Sequence, residues 1–176
     1  MAYTTIATPN VSDDLSIANF GTPVINNFAS LRADTCGLYR TAAQSIPDTT
    51  LTAVLWDGEN WDPSGMHSLA SNTDRINILR SGIYLITATV RFFANATGAR
   101  SCYIYRSNIA ALWGENVINS GASYDTFFSP STVCNLSSGD YITINISQTS
   151  SGSLNIQRDG ARVPNFTATL LYDLTV

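Results

Sequence analysis

Lysine is missing altogether: all nine basic residues are arginine. A phosphate-cradling P-loop and Schiff-base chemistry are thereby excluded, because both need a lysine amine. Charge of either sign is scarce, at 12% of residues against about 25% in an ordinary soluble domain. The balance is acidic, with a net charge of −4 and a pI near 4.7. No basic stripe exists to neutralise phosphates, so nucleic acid is not an expected partner. Histidine occurs once, as His67 in Ser64-Gly65-Met66-His67-Ser68. Any Ser-His-Asp or Cys-His mechanism must use it, yet no nucleophile elbow and no cysteine adjoins it. A polar loop histidine or a buried, hydrogen-bonded one is the expectation. The three cysteines, Cys36, Cys102 and Cys134, have no metal-ligand spacing and read as small buried hydrophobes. Only Cys102 and Cys134, both on predicted strands, could meet. No apolar run approaches a membrane span. Met1-Ala2-Tyr3-Thr4-Thr5 lacks the basic region and apolar stretch of a signal peptide. Synthesis in a cytoplasm without membrane insertion is expected, and the Asn-x-Ser/Thr triplets at Asn95, Asn135, Asn145 and Asn165 follow from composition rather than glycosylation.

What the chain has in quantity is Asn, Ser and Thr, the polarity of a β-rich body rather than of a disordered one. At 176 residues it can bury a real core. The organising stretch is residues 81–93. After the Ser81-Gly82 turn signal, Tyr84, Ile86, Ala88, Val90 and Phe92 form a wholly apolar face in period two. The opposite face starts apolar with Ile83 and Leu85, then turns polar with Thr87, Thr89 and Arg91. A face wetted along its whole length would not begin that way. The pattern predicts a central strand with the domain's core on one side and a second protein surface over part of the other.

Other strands are predicted at 40–46, 51–56, 74–79, 100–106, 109–113, 124–136 (broken near Pro130), 141–147, 154–157 and 166–174. Turn signals separate them, notably Pro47-Asp48, Ser107-Asn108, Ser137-Ser138-Gly139-Asp140 and Ser150-Ser151-Gly152-Ser153. About ten short strands at this spacing, with no fixed-period repeat, mean an all-β sandwich or barrel. Residues 1–40 differ. Thr22-Pro23 resembles an N-cap followed by a first-turn proline, Val24, Ile25, Phe28 and Leu31 fall at helical spacing, and Gly37 offers a stop. So short a helix must dock its apolar stripe on something. The division expected is an attachment segment over 1–40 and a β domain over 41–176.

Three blocks carry a family resemblance: Ser81-Gly82-Ile83-Tyr84-Leu85-Ile86, then Val133 through Ile142 with Leu136-Ser137-Ser138-Gly139-Asp140, then Asn165 through Tyr172. In this order they resemble the jelly-roll β-sandwich shared by the complement globular head and the tumour necrosis factor superfamily. The resemblance covers roughly residues 40–176. It implies a homotrimer in which Ile83, Leu85 and Thr87 meet the neighbouring subunits. On the closing strand Phe166, Ala168, Leu170 and Tyr172 form one apolar face and Leu171 lies on the other. Either face could meet the axis, with Phe166, Leu170 and Tyr172 as the expected contacts. The stalk and export signal that many relatives carry have no counterpart here. Unexported jelly rolls with a short leader resemble bacteriophage virion proteins: head decoration knobs, head fibres or tail knobs. The function so implied is structural and non-enzymatic: a knob on the virion surface, fixed to major capsid or tail proteins through Val24, Ile25, Phe28 and Leu31. The alternative is a tail or fibre-tip module for host attachment that recognises carbohydrate on the host surface.

Ligand contact is expected, if anywhere, in the turn-rich loop over residues 57–65 and just beyond it. Trp61 beside Asp62 would suit stacking on a sugar, with His67 close by, although tryptophans also fill cores. Asp57, Glu59 and Asp62 resemble a calcium loop only in their alternation, and the glutamate that closes such a loop is missing. A solvated turn is the plainer reading, and no cofactor is implied. A hydrolase acting on cell-wall polymer is the remaining alternative, which the scarcity of catalytic residues disfavours.

Overall fold

In the computed structural model, the described residues are 34–119, 124–156, 158, 160 and 162–174. They form two packed antiparallel sheets of eight and five strands. The strands are β1 (Thr35–Tyr39), β2 (Gln44–Ile46), β3 (Thr52–Ala53), β4 (Gly58–Trp61), β5 (Arg75–Asn77), β6 (Gly82–Phe92) and β7 (Ala99–Arg106). After them come β8 (Ala111–Asn119), β9 (Thr126–Phe128), β10 (Ser131–Leu136), β11 (Tyr141–Gln148), β12 (Leu154–Ile156) and β13 (Asn165–Asp173). A short 3-10 turn, Ser107–Ile109, links β7 to β8 and ends at Ala110 in the left-handed region. Among the described residues, no helix is long and apolar enough to cross a membrane.

β6 is the spine of the larger sheet. It pairs with β13 over residues 82–89, with β10 over 82–87, and near its end with β9 and β12. β13 in turn pairs with β1, and β1 with β4, which gives the order β10-β6-β13-β1-β4. The second sheet runs β3-β11-β7-β8, with β5 also on β11. Tyr84, Ile86, Ala88, Val90 and Phe92 are all buried, as their alternation predicted. Facing them from β11 and β7 are Ile142, Ile144, Ile146, Cys102 and Ile104. Trp56 closes one part of this core against Phe166, with ring centroids 5.4 Å apart.

The structure corrects several boundaries. The stretch expected as a strand over 40–46 is extended only at β2, and the first strand lies earlier, at Thr35–Tyr39. Gly37, read as a helix stop, is instead paired on both sides, with Thr167 of β13 and Trp61 of β4. The β domain therefore includes residues 35–39, which the sequence reading had placed in the leader. Residues 22–33 of the expected helix, with Val24, Ile25, Phe28 and Leu31, lie outside the described residues. The loop over 57–65 contains β4, an edge strand whose glycine and turn residues concealed it.

Candidate functional site: the outward face of the β6 sheet

The outward face of the larger sheet is a grid fixed by register. One row runs Val133, Leu85, Thr169, Thr35 across β10, β6, β13 and β1. The next runs Ser131, Thr87, Thr167, Gly37 and Trp61. Toward one end, Asn135 stands beside Ile83, which pairs with Tyr172. A register shift between Leu170 and Tyr172 leaves Leu171 as an extra residue, so Leu171 and Tyr172 are both exposed. Such a bulge sets two side chains of one strand against one of its partner. Ile83, Leu85 and Thr87 are half-buried, and Val133 is 55% exposed.

The polar atoms of this face bond to one another. The Thr87 and Thr167 hydroxyls are 2.6 Å apart and those of Thr35 and Thr169 are 3.2 Å apart. Trp61 Nε1 donates to Thr35 Oγ1 at 3.0 Å. What the face offers outward is therefore mostly methyl, isobutyl and ring surface. At the far end Arg91 leaves this pattern. It is buried, donates to the Asp125 carboxylate through Nε at 2.8 Å and also through a terminal nitrogen, and lies against the Phe93 and Phe127 rings.

Of the six residues expected at a subunit contact, Ile83, Leu85, Thr87 and Tyr172 share this outward face. Phe166 and Leu170 do not. Phe166 is 0% exposed and Leu170 is buried, because strand alternation sends both into the sandwich interior with Ala168. Alternation groups Tyr172 with Phe166, Ala168 and Leu170, but the bulge at Leu171 turns Tyr172 outward, so the outward residues of β13 are Asn165, Thr167, Thr169, Leu171 and Tyr172.

The loop residues separate in the same way. Trp61 is 46% exposed and lies over Gly37, where an added Cβ would fall 2.5 Å from its ring. Asp62 is a turn staple: its carboxylate accepts the Met66 and His67 backbone N–H groups, each at 2.8 Å. His67 is not a surface residue. Its side chain is buried, with Nδ1 2.9 Å from Glu59 Oε1 and Nε2 3.4 Å from the Thr73 carbonyl. Asp57 accepts from Thr41 N–H at 2.7 Å, from the Thr41 hydroxyl at 3.2 Å and from Ala42 N–H at 2.8 Å. The three acids that resembled a calcium loop thus serve three different local partners. Among the described residues, no group of three or more His, Cys, Asp or Glu side chains could hold a metal ion. The cysteines are free and buried. Burial pushes the Cys102 thiol up to about 12 and raises Cys36 and Cys134 as well, so none is a ready nucleophile.

No protein-family model and no curated protein matches the chain. Solved structures do. The globular domain of the zebrafish complement 1qA protein is similar at 13% identity and a TM-score of 0.59, over 80% of this chain and 98% of that one. Murine APRIL is similar at 17% identity and a TM-score of 0.60, over 80% and 100% of the two chains. The Eiger TNF of S. frugiperda is similar at 13% identity and a TM-score of 0.53, over 82% and 96%. The fold is thus a C1q/TNF-like jelly-roll β-sandwich.

Proposed function

We propose that the chain is a structural, non-enzymatic knob that assembles as a homotrimer through the outward face of the β6 sheet. The observation that carries this reading is the pairing of polar atoms on that face. Covering a hydroxyl usually costs its bond to water, but Thr87, Thr167, Thr35 and Thr169 keep their partners when water leaves. Around them Ile83, Leu85, Val133, Leu171 and Tyr172 supply apolar surface. A second pair of exposed apolar side chains, Leu112 and Val117, lies on edge strand β8, opposite Tyr105 and Ser101 of β7. Two unlike patches on one chain suit a head-to-tail contact that closes into a ring. The threefold count comes from the family resemblance.

The proposed setting is the virion surface of a bacteriophage, as head decoration, head fibre or tail knob. There the stripe Val24, Ile25, Phe28 and Leu31 would dock on capsid or tail proteins, with avidity from three copies. The non-enzymatic reading is supported by His67, whose ring nitrogens are both engaged by the chain's own groups.

Sedimentation of the full chain tests the assembly. A species of three times the 19.0 kDa chain mass is expected, and Leu85→Asp with Val133→Asp should reduce it to single subunits. A wild-type protein that sediments as one compact subunit at micromolar concentration would overturn the trimer. Val24→Asp with Phe28→Asp should keep the trimer and abolish particle binding. Full occupancy of particles by that variant would overturn the attachment role.

A further inference from the structure

Beside β4, at the opposite end of the sheet from Ile83, the surface opens into a groove of about 500 Å³ lined by Tyr39, Glu59, Asn60, Arg158, Val163 and Asn165. The register places Tyr39 beside Asn165, and Asn165 beside Thr89. That is four residues along β6 from Leu85, or about 13 Å at strand rise. The groove is built by one chain and is separate from the apolar end of the face.

Its wall is an aromatic ring. The Tyr39 phenol lies across Gly58, where an added Cβ would fall 2.2 Å from the ring carbon Cζ. The backbone of β4 therefore holds the ring in one orientation and leaves it half-exposed at the groove. Around it stand side chains with hydrogen-bonding capacity to spare. Arg158 Nε donates to the Gly160 carbonyl at 3.2 Å, which fixes the guanidinium while its two terminal nitrogens bond nothing among the described residues. Asn165 Nδ2 reaches the Val163 carbonyl at 3.5 Å, leaving its amide oxygen as an acceptor. The Asn60 amide is exposed and bonds no described residue. One oxygen of the Glu59 carboxylate, Oε1, is committed to His67.

We propose that this groove binds a neutral, hydroxyl-rich saccharide. A sugar presents a weakly polar C–H face, which suits an aromatic ring, and a rim of hydroxyls that both donate and accept. Two amides and a guanidinium around a fixed phenol meet those requirements together. Among the described residues one cation, Arg158, and one anion, Glu59, line the groove, so these side chains give an acidic sugar no net attraction there. The sugar ring would lie on Tyr39, its hydroxyls shared by Asn60, Arg158 and Asn165. Trp61, the residue after Asn60, covers Gly37 and does not line the groove, so it is not the platform itself.

Saturation-transfer NMR on the full chain tests this directly. The probes are the methyl glycosides of glucose, galactose, mannose and N-acetylglucosamine, with N-acetylneuraminic acid as the acidic comparator. At least one neutral glycoside should receive transfer that saturates in the millimolar range. Asn60→Ala and Arg158→Ala are both exposed changes that leave the core intact, and each should weaken binding about fivefold, the worth of one hydrogen bond. Tyr39→Ala should abolish it, although loss of the ring from Gly58 could also disturb β4, so the two exposed variants carry the decision. Absence of saturable transfer to every neutral glycoside overturns the proposal. Undiminished transfer in both exposed variants overturns the location, and binding of the acidic sugar alone overturns the class. Because Asn165 shares the outward face, the same measurement on the Leu85→Asp, Val133→Asp single subunit separates a failure of the groove from coverage by a neighbouring subunit.

Discussion

The two faces of the β6 sheet are made by the same strands, yet they obey different rules. Inward, every second residue from Tyr84 to Phe92 is apolar and buried, and β13 answers with Phe166, Ala168 and Leu170. Outward, the face changes character along its length, from Ile83 and Leu85 through the threonine pairs to Thr89 and the buried Arg91. A uniform face implies a single environment, which the second sheet supplies. A face that changes implies more than one environment, and one chain supplies only part of it. Phe166→Ala sharpens the contrast most: it removes a fully buried ring packed on Trp56 and should cost about 3–5 kcal/mol. Thr167→Ala, its outward neighbour, should cost about 1 kcal/mol, the worth of its bond to Thr87. Urea unfolding midpoints check both, and equal losses would erase the distinction between the faces.

Next in size is the pair of rings seated on glycines. Tyr39 covers Gly58 and Trp61 covers Gly37, so β1 and β4 each lend the other a ring. Alanine at either glycine forces the ring off, since the Cβ would fall within 2.7 Å of three ring atoms in each case. Gly58→Ala should cost about 1–3 kcal/mol, the usual range for overpacking. Gly37→Ala should cost less, because Trp61 is exposed and can swing into solvent whereas Tyr39 is half-buried. Thermal unfolding of the two variants checks the order, and a larger loss at Gly37 would mean that Trp61 is the more firmly held ring.

These same residues explain how much of the molecule could be read from its sequence. β6 was legible because the apolar run at every second residue from Tyr84 to Phe92 has few competing explanations. The turn at Ser137-Ser138-Gly139-Asp140 was legible because Gly139 takes a positive φ of 93° and Asp140 bonds back to Ser137 N–H. β1 and β4 were not legible. Each is short, each carries a glycine, and each is stabilised by a ring from the other strand, which no local pattern records. Tyr172 falls with Phe166 and Leu170 by alternation, but a bulge at Leu171 turns it outward while those two stay inside. Alternation alone cannot place such a residue. Within the loop, spacing does not separate the exposed Trp61 from Asp62 and His67, which serve local bonds. Their roles follow from the Asp62 carboxylate reaching two N–H groups further along the turn. The groove residues Tyr39, Asn60, Arg158 and Asn165 are distant in sequence, and no spacing links them to one another.

A smaller effect separates folding from assembly on the outward face. Leu85→Ser with Val133→Ser should leave the stability of the unassembled chain within about 0.5 kcal/mol per site, since both are at least partly exposed. The wild type should instead show an unfolding temperature that rises with protein concentration, as any folded-state association requires. The double variant should lose that dependence. A concentration-independent Tm in the wild type would mean that the apolar end of the face remains in water, and the contrast between the two faces would then lack its physical cause.

The smallest effect concerns the outer loops, where the acids act locally. Burial acts to raise the Asp57 pKa, but the bonds from Ala42 and Thr41, with Arg40 nearby, outweigh it and hold the carboxyl below its ordinary value of 3.8. A carboxyl depressed in the folded state adds stability that is fully present above the unfolded value. That stability is lost as pH falls through the folded one. Asp57→Asn should therefore be less stable than wild type at neutral pH, and the gap should close below about pH 4. Because Asp57 ties the link after β1 to the link before β4, hydrogen exchange should report the loss in those two links and leave β6 protected. A gap of constant size across the acid range would show that the amide's geometry, and not the missing charge, was responsible.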